Sequence, residues 1–122
     1  AYFWNVDGLC ANLSYDIPTI AKIISAATGW DFSVFEMQEI GERALAMARM
    51  FNYRCGFRAQ DDVPPARFSE PMQNGPVAGA YLDPTIMQRA LNTYYDMMGW
   101  DHQTGAPKPW KLHELGLSWL AE

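Results

Sequence analysis

Basic charge, cysteine and long apolar runs are all scarce in this 122-residue chain. Nine Lys and Arg stand against fourteen Asp and Glu, a formal net charge of −5. Nucleic-acid binding needs a basic face that displaces counterions, so that class is disfavoured. No apolar stretch approaches the ~20 residues of a membrane-spanning helix, and no signal-peptide pattern is visible. Cys10 and Cys55 are too few for the disulfide framework of a small secreted domain. Reduced thiols or a metal ligand are the expectation, and with them a cytoplasmic home. His102 and His113 have no metal spacing between them. Nowhere does an apolar–polar alternation mark a strand.

What remains is helix. The composition, 49% hydrophobic and 19% charged, is that of a globular chain with a core. Ser33 and Glu36 have the spacing of a capping box, and Met37, Ile40, Ala44, Met47 and Phe51 then recur at intervals of three and four. A helix from about Val34 to Arg54 is expected, with Glu39 and Arg43 spaced for a surface ion pair and Gly56 ending it. Asp16 and Pro18 open an earlier helix from about Ile17 to Ala27, whose apolar face is Ile20, Ile23, Ile24 and Ala27 and which Gly29 stops. Asp83-Pro84 opens a third, with Met87, Leu91, Tyr94 and Met98 on one side and Gly99 at its close. A short fourth runs near Trp110 to Leu115, ended by Gly116. The class is all-α: about four helices, with a long loop from Phe57 to about Gly79 rich in Pro, Arg and Asp. Such a loop in a compact domain is functional or lies across a neighbouring surface. The chain begins at Ala1 without Met, and the aromatic cluster Tyr2-Phe3-Trp4 sits at that terminus. Both are expected of a domain cut from a larger protein, the alternative being a processed small domain.

Asn52, Arg54, Gly56, Phe57, Asp61, Asp62, Pro64 and Arg67 follow Gly41-Glu42-Arg43. Downstream come Tyr94-Tyr95, Gly99-Trp100-Asp101, Gly105, Pro107 and Leu112 to Leu117. With these residues in register, the chain resembles the C-terminal region of the aldehyde:ferredoxin oxidoreductase family over most of its length. The resemblance implies that residues 1–122 are the C-terminal helical domain of an enzyme holding tungsten (or molybdenum) between two pterins, beside a [4Fe–4S] cluster. Such an enzyme oxidises aldehydes to carboxylic acids and passes electrons to ferredoxin. Its other partner is the remaining N-terminal part of the same enzyme, and the isolated domain is expected to be inactive and to lack the cofactors.

The resemblance places the chemistry in Asn5-Val6-Asp7-Gly8-Leu9-Cys10. The family motif is D-x-x-G-L-C, in which the loop meets a pterin and Cys supplies one thiolate to the cluster. Gly8, Leu9 and Cys10 match, so Cys10 is the implied metal ligand. Asn5 stands where the family has Asp: it keeps an acceptor oxygen but loses the charge, which alters the pterin contact. Physical sense agrees, since a cluster ligand must be a thiolate and Gly lets backbone approach a bulky cofactor. A lone Cys after Gly-Leu also suits a small buried hydrophobe.

Other candidates are structural in character. Cys55 reads as a free, partly buried thiol, and His113 as a partner of a helix C-terminus. Asp61-Asp62 could serve as paired carboxylates. Beside Arg54, Arg58 and Arg67 they fit better as a salt-bridge network pinning the loop. Tyr94-Tyr95 and Gly99-Trp100 read as core or interdomain packing. The rival function from another class is a non-catalytic helical protein-interaction module.

Overall fold

The computed structural model describes residues 15–121. Among them are four α-helices: α1 (Ile17–Thr28), α2 (Val34–Arg54), α3 (Pro84–Met98) and α4 (Pro109–Glu114). Single 3-10 turns lie at Ala59–Asp61, Ala66–Ser69 and Ser118–Leu120. The described residues form no sheet, only one isolated bridge between Trp100 and Pro107. The all-α expectation therefore holds.

The helix boundaries follow the local signals. Asp16 accepts a bond from the Thr19 amide at 2.9 Å, and Gly29 closes α1 at φ +76°. Ser33 and Glu36 form both halves of the capping box at the start of α2. Asp83 caps α3 through the Thr85 amide at 2.7 Å. At its end Gly99 takes φ +66°, where a Cβ would lie 2.8 Å from the Trp110 ring.

α2 is the spine, and its two halves bury opposite sides. Near the start, Met37 is sealed with Ile20 of α1, and Ile24, Phe32 and Ile40 pack round them. Further along, Ala46 and Met50 join Leu112, Leu115, Leu117 and Leu120 from the C-terminal segment. Met37 and Ala46 are nine residues apart, about two and a half turns, and so point to opposite sides of the helix. Between them, Leu45 supports a third cluster of Tyr95, Met98 and Trp100. Burying one Leu such as Leu112 contributes about 2 kcal/mol.

The apolar stripe expected on α2 is covered over only part of its length. Met37 and Ile40 of that stripe are covered, yet Met47 is 44% exposed and Phe51 69%. The apolar face is real; only its first half has a partner among the described residues. Glu39 and Arg43 are not among the ion pairs of the described residues either. Lys111 instead bridges Glu42 at 2.7 Å and Glu114 at 2.9 Å.

Candidate functional site

Asn5, Gly8, Leu9 and Cys10, the candidate cofactor residues, lie outside the described residues. Cys55 is described, at the end of α2, and it is an exposed free thiol rather than a partly buried one. No three His, Cys, Asp or Glu side chains among the described residues come together as a metal site. His102 pairs with Asp96 at 2.8 Å and His113 meets the Ser118 hydroxyl at 3.0 Å, far from any shared centre.

The most elaborate polar centre is built round Arg49. This residue of α2 is 7% exposed, so its charge must be met in place. Its guanidinium donates to both carboxylate oxygens of Asp62, at 3.0 and 2.5 Å, in a two-pronged fork. Nε donates to the Gly105 carbonyl at 2.6 Å, and a terminal nitrogen donates to the Tyr95 hydroxyl at 3.0 Å. The Tyr95 hydroxyl donates in turn to Asp62. The guanidinium carbon lies 5.1 Å from the centre of the Phe57 ring and 5.0 Å from that of Trp100. Burial, reinforced by the bond to Asp62, pushes the Tyr95 hydroxyl up to about 12. Gly105 takes φ +74°, and a Cβ there would run into the Arg49 guanidinium and sit 3.0 Å from the Ala59 amide. The centre thus ties α2, the long loop, α3 and the turn before α4 to one cation. Trp100 adds a buried indole nitrogen with no hydrogen-bond partner.

The expected loop-pinning network is therefore present with a different cation. Asp62 pairs with Arg49, which the sequence reading placed among the helix residues without a role. Asp61 stands apart, accepting the Arg58 amide at 2.7 Å, so the two carboxylates are not an acid–base pair. Arg54 reaches the Leu120 carbonyl at 3.2 Å, Arg58 stacks on Tyr53, and Arg67 lies over Phe68. Arg49 was detectable in principle, as the one charge between Leu45, Ala46 and Met50 on the buried side of α2. All these charges hold structure; none is positioned against a reacting group within the described residues.

A cleft of about 520 Å³ opens between the α1–α2 connection and the end of α4. Trp30, Phe32, Ile40 and Leu115 line it, with Asp31, Glu39, Glu114 and Arg43 among its charged walls.

A family model described as "Aldehyde ferredoxin oxidoreductase, domains 2 & 3" matches residues 2–117. The chain belongs to that family. The tungsten-containing aldehyde ferredoxin oxidoreductase of Pyrococcus furiosus is 36% identical over 115 residues, which is 91% of this chain and 18% of the relative. The protein of the same name from Thermococcus kodakarensis is 34% identical over 115 residues, with the same shares covered. An aliphatic sulfonate oxidoreductase, WOR-like subunit, of Pyrococcus furiosus is 33% identical over 110 residues, 82% of this chain and 17% of that protein. Among solved structures, the active site complex BamBC of benzoyl coenzyme A reductase with 1,5 dienoyl-CoA superposes with a TM-score of 0.78 at 28% identity. It covers 98% of this chain and 18% of that one. The chain therefore spans less than a fifth of the length of the relatives it matches. The fold of this aldehyde ferredoxin oxidoreductase family segment is thus seen within a chain of that solved complex. No helix among its described residues is long and apolar enough to cross a membrane.

Proposed function

We propose that this chain is the C-terminal part of a longer tungsten- or molybdenum-pterin oxidoreductase of the cytoplasm. The reaction is oxidation of an aldehyde to a carboxylic acid, with electrons leaving through a [4Fe–4S] cluster to ferredoxin. The observation that carries this reading is the match over residues 2–117, joined to 36% identity with a tungsten-containing aldehyde ferredoxin oxidoreductase. The sulfonate and benzoyl-CoA relatives set the range of substrates against which aldehydes are to be tested.

The described residues do not fit either cofactor by themselves, since they gather no metal-ligating set and contain one cysteine, Cys55. The donors this chain would bring are in the segment Asn5 to Cys10. Cys10 would give one thiolate to the cluster, and Gly8 and Leu9 would bring backbone close to the pterin. Asn5 would meet the pterin with an amide in place of a carboxylate, a weaker acceptor for ring N–H groups. When bound, the metal–pterin supplies the oxygen-transfer and electron-accepting chemistry. The described part contributes a rigid support: the Arg49 centre fixes the long loop, α3 and the turn before α4 to α2.

The test is the Cys10→Ser variant of the full-length gene product. The expected result is loss of bound iron and acid-labile sulfide together with aldehyde-dependent dye reduction. Unchanged iron and sulfide would remove Cys10 from the site. The exposed apolar residues of α1 and α2 also suit the second reading, a non-catalytic helical interaction module. A gene encoding only this domain, without further cysteine motifs, would favour it.

A further inference from the structure

Between the long loop and the first half of α3 lies a pocket of about 180 Å³. Val63, Pro64, Leu82, Met87 and Leu91 give it apolar walls, and Asp62 lines it too. Both sides are fixed in place. The Leu82 amide donates to the Phe68 carbonyl at 2.7 Å, closing an excursion of the chain just before Asp83 caps α3. Opposite, the Arg49 fork holds Asp62. An apolar cavity of ~150 Å³ is enough to admit benzene, so this pocket has room for a ring or a short chain.

The polar lining narrows what fits. An ionised carboxylate has about four lone-pair sites and no donor. Three of those on Asp62 are spent, two on the Arg49 fork and one on the Tyr95 hydroxyl. One acceptor site is left, on a side chain 22% exposed whose charge Arg49 already meets. A cation therefore gains little there, while an anion or a bare carbonyl oxygen would set acceptor against acceptor. Ser69 adds a hydroxyl to the lining, and Gln88 spends its amide on Asn92 at 3.1 Å. A ligand hydroxyl answers both groups, donating to Asp62 and accepting from Ser69.

We propose that this pocket binds a small neutral hydroxyl compound, a phenol or a short alcohol. The ligand seats its apolar body among Leu82, Met87 and Leu91 and donates its O–H to Asp62. None of these residues belongs to the proposed cofactor segment, and binding does not depend on the proposed reaction. Under that reaction the pocket sorts oxidation levels: it admits an alcohol and rejects the aldehyde and carboxylate of the same chain, which carry no donor.

The test is methyl NMR of the full-length gene product carrying carbon-13 methyl-labelled methionine, titrated separately with phenol, anisole and benzoate. Met87 lines the pocket, and Met50, packed with the C-terminal leucines, is the control; Met87→Leu and Met50→Leu assign the two signals. Phenol should shift the Met87 methyl saturably and leave Met50 in place. It should bind about tenfold more tightly than anisole, which keeps the ring and the oxygen but has no donor, a factor in line with a hydrogen bond to a charged group. Benzoate should leave Met87 unmoved. A Met87 signal that phenol does not move, or moves without saturating, overturns the site. Anisole binding as tightly as phenol, or benzoate shifting Met87 as phenol does, overturns the role of Asp62 and the ligand class with it. Met50 moving together with Met87 reports a general loosening by phenol and overturns the site equally. All of these results are read without turnover, so the failure of the proposed reaction and the failure of this site are separate outcomes.

Discussion

Replacing Arg49 by Met is the sharpest perturbation of the described structure. Met keeps much of the buried stem volume and removes the fork. Asp62, 22% exposed, then loses its cation and retains only the Tyr95 hydroxyl. Removing one partner of a buried ion pair costs about 3–5 kcal/mol, and partial hydration of Asp62 sets the value at the low end. The Gly105 carbonyl also loses its donor, about 1 kcal/mol, and the stacking on Phe57 and Trp100 adds under ~1 kcal/mol. Since these terms share one side chain they are not fully additive, and the expected loss is about 4 kcal/mol. Arg49→Lys should lose about half as much, because a point charge cannot serve the carboxylate fork and the carbonyl together. The double variant Arg49→Met with Asp62→Asn should recover part of the loss by removing the orphaned charge. Urea denaturation followed by far-ultraviolet circular dichroism measures all three. If Arg49→Met falls within ~1 kcal/mol of the parent, the level of an ordinary surface change, Arg49 is not the tie described.

Four further outcomes follow from the same structure. Gly105→Ala should destabilise by about 2–3 kcal/mol, combining left-handed backbone with the collision against Arg49; urea midpoints check it. Ser33→Ala should cost about 1 kcal/mol through the lost capping box, seen as a lowered thermal midpoint. Tyr95 resists ionisation up to about 12 in the folded chain, whereas an unfolded Tyr ionises near ~10. Its contribution is therefore whole below the unfolded value and drains away between the two, by on the order of 2 kcal/mol; the stability of the parent should fall towards that of Tyr95→Phe across this range, and parallel curves would refute it. The 122-residue chain purified alone should hold no stoichiometric iron or acid-labile sulfide, as assayed colorimetrically.

The helices were legible because their ends are written locally. Asp16, Ser33 and Asp83 satisfy amides within three residues, and Gly29 and Gly99 close turns where other residues are strained. The partner of each helix face is not a local property, and there the reading faltered. Periodicity gave α2 an apolar stripe, but not the change of side that follows once α1 ends and the C-terminal leucines begin. Asp62 was assigned to arginines near it in sequence, while the fold brings Arg49 from 13 residues away. Cys55, one turn beyond Phe51 on the bare stripe, shares the exposure of Met47 and Phe51 for the same reason. Family membership was legible because motif residues from Gly41 to Leu117 kept their register. The proposed cofactor segment from Asn5 to Cys10 falls outside the described residues and stands on its motif alone.

The most direct measurement is elemental analysis of the purified full-length gene product. The account predicts tungsten or molybdenum together with iron and acid-labile sulfide in equal amounts, the iron and sulfide lost in Cys10→Ser. A polypeptide that folds and purifies with neither metal nor sulfide would contradict it.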